Sequence, residues 1–135
     1  MQNILAITLS LIALYSAPNL FAATPTTQPP QFEYASTAGN AVIEEAFAQG
    51  HRDVQVSGRG TVIKLLADDN EGSRHQKFLV KLPSGLTLLI AHNIDLAPRI
   101  NKLKVSDAIE FYGEYEWNEK GGVIHWTHKD PAGRH

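Results

Sequence analysis

From Asp53 onward, apolar residues recur at every second position, in short runs broken by Gly, Pro, Asn and Asp. A period of two marks strands with one buried face. A chain built this way must close its sheet or pack it against something. Five such runs are predicted, over about 53–67, 74–82, 86–91, 108–117 and 123–128. The first is long and carries Ser57-Gly58-Arg59-Gly60 at its middle. Glycines inside a strand pattern signal a bend or bulge. Pro83-Ser84-Gly85 and Asn118-Glu119-Lys120-Gly121-Gly122 read as turns, and a break containing Pro98 separates the third run from the fourth. That order is the order of the OB-fold, a partly open barrel of five strands. Closing so small a barrel requires the first strand to bend, which Gly58 and Gly60 permit. The predicted fold class is therefore mainly β: a small five-stranded OB-fold-like barrel with one N-terminal α-helix. That helix is expected to start at Asn40 as its cap and to end at Gly50. Val42, Ile43, Ala46 and Phe47 would form its apolar face.

Alternation also assigns faces. On the fourth strand Ile109, Phe111, Tyr115 and Trp117 should point inward, leaving Glu110, Tyr112, Glu114 and Glu116 outside. On the second strand Phe78, Val80 and Leu82 should point inward. His75, Lys77, Leu79 and Lys81 should then point out. One strand thus shows an acidic row and another a basic one. A row of His75, Lys77 and Lys81 on the usual OB ligand surface is a candidate anion site. A binder of single-stranded nucleic acid should show several exposed aromatics. Only Tyr112 is placed outward, and the net charge is −2, so there is no strong nucleic-acid signature.

The chain has no cysteine, so a domain of this size is held by packing alone or by a metal. Ahead of the domain, the first charged side chain after Met1 is Glu33, and Ile4 to Tyr15 is almost wholly apolar. A membrane-spanning helix needs roughly 20 residues. The run is shorter and suits the apolar core of a signal peptide, with Pro18 and Phe21-Ala22-Ala23 leading to a cleavage site. It lacks the usual basic residue in front. The expected organisation is a signal peptide over 1–22, a flexible Pro/Thr-rich linker over 23–36 and one OB-like domain with its leading helix over 37–135. An exported protein, periplasmic or secreted, follows, with no transmembrane anchor once the signal is cleaved.

The chain has six histidines, and His75, His92, His125, His128 and His135 fall at strand ends or loops of the domain. Imidazole and carboxylate gathered from several strand ends can ligate a metal or move protons near neutral pH. His75, His92, His125 and His128 are the candidate ligands for a divalent metal such as zinc. The spacing matches no strong zinc signature, and His125 and His128 differ by an odd number, so a regular strand would point them to opposite faces. Unconnected surface or core histidines remain the plain alternative. Asp68-Asp69-Asn70-Glu71-Gly72 lacks the alternating ligand spacing of a calcium loop and reads as an acidic turn.

The segments HRDVQVSGRGTVIKLLADDNEGSRHQKF, SGLTLLIAHNIDLAPRI and FYGEYEWNEKGGVIHWTHKDPAGRH resemble a family of small exported bacterial proteins, known as domain of unknown function thirty-four sixty-five. The likeness covers about 51–135 and implies three signature segments, at 72–76, 91–95 and 126–135. It brings no established activity. The family favours Gly where this chain has Ser106 before Asp107, a turn position.

Three readings follow. One is an exported binding module for a small or oligomeric anion, using a His-rich surface of Arg74, His75, Gln76, Lys77, His92, Asp95, His125, His128, Asp130 and His135. Another is a secreted hydrolase, such as a phosphodiesterase or nuclease, with His as general base or metal ligand. Staphylococcal-type nucleases share the scaffold, but their pattern of paired Asp, Glu and two Arg is not matched. The third is a partner-binding or inhibitor protein. The residues alone do not decide whether the protein is an enzyme.

Overall fold

The computed structural model describes residues 31–125 and Thr127, with side chains from Thr37 onward. The signal-peptide segment and the linker up to residue 30 lie outside the described residues, as do Trp126 and 128–135. The described chain is a closed barrel of five strands preceded by one helix.

Helix α1 spans Gln31–Gln49. It starts directly after Pro29-Pro30, so the backbone over 31–36 is helical where a flexible linker was expected. Asn40 is consequently not a cap. It lies mid-helix and is buried, and its amide copies a strand partner for Arg59. Its Oδ1 accepts the Arg59 backbone N–H at 2.9 Å, and its Nδ2 donates to the Arg59 carbonyl at 3.0 Å. The polar residue that resembled a helix start is there to satisfy the backbone of the bent strand beneath it. The C-terminus ends as expected at Gly50: the His51 N–H donates to the Ala46 carbonyl at 2.8 Å and the Gly50 N–H to Phe47 at 3.3 Å.

Strands β1 (Val54–Leu65), β2 (His75–Lys81), β3 (Thr87–Asn93), β4 (Ala108–Glu116) and β5 (Val123–His125) close in the order β1-β2-β3-β5-β4. β3 and β5 run parallel; the other neighbours are antiparallel. β1 is 12 residues long because it serves two partners, β4 along most of its length and β2 after Thr61. The glycines lie where β1 approaches its neighbours closely, and its one register shift against β2 falls beyond them, between Val62 and Lys64. A Cβ on Gly60 would stand 2.6 Å from Val80 Cγ1, and one on Gly58 2.6 Å from the Phe111 ring. Side chains there would push the strand off the barrel.

The faces follow the alternation. Phe78, Val80, Leu82, Leu88, Ile90, Tyr115 and Ile124 are buried with Val56 and Val62 of β1. Ile43 and Ala46 of α1 join this core, and Phe47, Phe111 and Trp117 pack on it. The helix thus plugs one end of the barrel. Each buried Val, Leu, Ile or Phe contributes roughly 1.5–3 kcal/mol relative to exposure. In a domain without disulfides, such burial must outweigh the chain entropy lost on folding.

Candidate functional site, a gap in the barrel wall

The residues of the first two signature segments occupy two sides of one sheet. Gln76 and His92 are direct partners across β2 and β3, both buried and turned into the barrel. The Gln76 amide clamps the backbone of Ile100: its Oε1 accepts the N–H at 2.9 Å, and its Nε2 donates to the carbonyl at 3.1 Å. Both ring nitrogens of His92 are engaged, Nδ1 with Thr127 Oγ1 at 2.8 Å and Nε2 with the Pro98 carbonyl at 3.0 Å. Asp95 accepts the Arg74 backbone N–H and Nε, each at 2.7 Å. Those bonds from Arg74 hold its carboxyl below the ordinary range. Arg99 adds an ion pair with Asp68 from the turn after β1. Arg74, Gln76, His92 and Asp95 therefore work together on one task. They hold the connection from Ile94 to Asp107 across the end of the barrel.

His75, Lys77 and His125 point to the outer side. His125 stands directly across from Glu114 of β4. Burial lowers its pKa, and the charge of nearby His75 lowers it further, against an opposing pull from Glu114. The structure thus brings His75 and His125 within electrostatic reach and places His92 on the opposite face. The proposed four-histidine set does not converge: one member faces inward with both nitrogens occupied, and His128 lies outside the described residues, as do Asp130 and His135.

Sequence reasoning missed a carboxylate group beside His125. Ligand atoms of Asp53, Glu114 and Glu116 all lie within 4.8 Å of one another. Glu116 is held above its ordinary range by burial first, then by a hydrogen bond and charge from Asp53, with Glu114 adding to it. The sequence signal was the pairing of Val54 with Tyr115, which sets Asp53 against Glu116. That register is invisible until the barrel is closed.

A concavity of about 550 Å³ lies between the held connection and β4. Phe78, Ile90 and His92 form its floor, Ile100 and Leu103 of the held connection one side, and Thr127 its end. The other side is made by Ile109, Glu110, Phe111 and Tyr112, four consecutive residues of β4. A strand face could offer only alternate residues. Four in a row means that the strand edge borders the space. Among the described residues β5 has three and pairs with Glu114, Tyr115 and Glu116, while β4 has nine. From Ile109 to Tyr112, β4 has β1 on one edge and no described strand on the other. A wider groove of about 800 Å³ lies outside the barrel near Arg59, Thr61 and Lys81, but Glu110 there offsets the two cations.

The family described as "Protein of unknown function (DUF3465)" matches residues 30–135. The chain belongs to that family. The DUF3465 match takes in α1 as well as all five strands, so the helix that plugs the barrel is part of the family unit and not an attachment to it. Helix, closed barrel and wall gap all lie within the DUF3465 span. No curated protein matches the chain. Among the described residues, no helix is long and apolar enough to cross a membrane.

Proposed function

We propose that the protein is an exported binding module whose ligand enters the gap between β3 and β4. The observation that supports this reading is the lining of the gap. Apolar side chains converge on about 550 Å³ around a single oriented imidazole, the usual composition of a ligand pocket. Gln76 and His92 fix the connection that forms one side, so that side is in place before anything binds. Preorganisation of this kind removes ordering costs from association. The outer histidine face supports the earlier anion reading less well, because Glu114 faces His125 and Arg74 is committed to Asp95.

The test is titration of the full-length protein with an anilinonaphthalene fluorophore, an apolar probe. Saturable binding is expected, and Ile100→Trp should abolish it by filling the gap from a position that is 41% exposed. Unchanged binding in a folded Ile100→Trp protein would place the probe elsewhere and sink this reading. Export rests on the segment 1–22 and is tested separately, by fractionation and sequencing of the mature N-terminus.

A further inference from the structure

The outer wall of the barrel carries an apolar row that the core does not need. Directly paired residues share one face of a sheet. Phe78, Ile90, Ile124 and Tyr115 pair in turn across β2, β3, β5 and β4, and all lie in the core. The next row along, Leu79, Leu89, Val123 and Glu116, therefore points outward. Its three apolar members are partly exposed, and they belong neither to the core nor to the side chains packed on it. Helix α1 lies against β1 and β4 and reaches no other strand. From Val123, β5 runs away from this row toward Thr127, whose hydroxyl meets His92.

The two sides of the row carry opposite charge. On β2, Lys77 and Lys81 flank Leu79. On β4, Glu116 ends the row, and Glu114 stands next to it on the same face, opposite His125. Ligand oxygens of Asp53, Glu114 and Glu116 crowd within 4.8 Å of one another. Cations brought to that side would relieve the crowding. A patch that is apolar in the middle, basic on one side and acidic on the other is its own complement under a two-fold rotation. An axis along the strands, between β3 and β5, lays β2 of one copy over β4 of the other. Leu89 then meets Val123, and Lys77 and Lys81 meet Glu114 and Glu116. We infer that the protein forms a symmetric dimer in which a second copy covers the outer row Leu79, Leu89 and Val123. From β2 to β4 the patch is only about 14 Å across, and a standard interface buries roughly 800 Å² per partner. The dimer should therefore be weak, with a Kd on the order of 10–100 μM, and weaker still in high salt. None of these residues lines the concavity proposed for the ligand.

The test is sedimentation velocity of the full-length protein over concentrations that bracket that Kd. The mass should rise from monomer toward dimer, and Leu89→Glu should hold it at monomer. Two charge variants then test the pairing itself. Lys77→Glu with Lys81→Glu, and Glu114→Lys with Glu116→Lys, should each weaken self-association by roughly tenfold or more, because like charges then face each other. Mixed together, the two variants should recover a dimer, which neither misfolded chain could do. Monomer at every concentration would overturn the inference, and loss of fluorophore binding on Leu89→Glu would then assign the row to a different ligand. A dimer unchanged in both charge variants, or not recovered on mixing, would overturn it too. Failure of the fluorophore to bind the wild-type protein would sink the ligand reading and leave the dimer standing.

Discussion

The two halves of β4 obey the same alternation and end in different environments. In the half that ends at Glu116, the strand has neighbours on both edges. Tyr115 is wholly buried there, and its hydroxyl donates to the Gly121 carbonyl at 3.0 Å. In the half that begins at Ala108, one edge has no described strand beside it, Phe111 is only partly buried and Tyr112 is largely exposed. Each half holds one inward aromatic, and what separates them is burial: Tyr115 sits within the core, whereas Phe111 packs on it from the border of the concavity.

The comparison breaks most severely at its closed half. Gly122 has φ 109° and lies against the Tyr115 ring, where an added Cβ would overlap ring atoms. Gly122→Ala combines backbone strain with overpacking and should cost about 3–5 kcal/mol, read by urea denaturation. A comparable change at the open half should be far milder. Phe111→Leu should weaken probe binding and move the urea midpoint less than Gly122→Ala does. If Phe111→Leu proved the more destabilising, the gap would be an integral part of the core.

Next comes the clamp that holds the open side open. Gln76→Ala leaves the Ile100 N–H and carbonyl without their partner and should cost about 2–3 kcal/mol. Hydrogen exchange should rise first between Ile94 and Asp107. Uniform acceleration across the barrel would show that the connection is not a separate unit.

How much of this was legible beforehand follows from which forces are local. Strand positions and faces were readable because burial imposes period two on Phe78, Val80, Ile109 and Tyr115. That Gly58 and Gly60 are special was readable because only a residue without a side chain fits there, though the register shift of β1 falls later, between Val62 and Lys64. The role of Asn40 was not, since its partner Arg59 is 19 positions away and an Asn ahead of an apolar face looks like a cap. The histidines misled for a similar reason. Strand ends that are near in space can still face opposite sides, as His75 and His92 do. The concavity itself depends on how the connection from Ile94 to Asp107 lies against β4, a contact between Ile100 or Leu103 and the strand that no local pattern announces.

Two carboxylates sharpen the contrast through pH, with opposite signs. Glu116, beside the closed end, has a raised native pKa, so its contribution is complete below the ordinary value of 4.5 and is lost as pH rises through the raised one. Glu116→Gln should therefore stabilise the protein at pH 7, by on the order of 1 kcal/mol after allowing for solvent screening, and the gain should vanish in acid. Asp95, which anchors the connection, has a lowered native pKa. Its contribution is present above the ordinary 3.8 and is lost as pH falls through the native value. Asp95→Asn should be destabilising at pH 7 and neutral in strong acid. Denaturation midpoints of both variants across pH 3–7 check the signs, and matching signs would refute the assignment.

The smallest effect concerns the point where the connection re-enters β4. The Ser106 N–H donates to the Val62 carbonyl at 2.8 Å, while the Val62 N–H goes to Asp107, so two residues face one. This is a bulge whose first position takes a left-handed backbone, commonly as glycine. Ser106 occupies it at φ 78°, a conformation that costs any residue with a side chain. Ser106→Gly relieves the steric penalty but gives the unfolded chain more freedom, so the gain should be only about 0.5 kcal/mol. The sign is what matters. The bulge sets which β4 residues turn toward β1. A higher urea midpoint for Ser106→Gly would show that relief of the strain outweighs the added freedom of the unfolded chain, and a lower one would show the reverse.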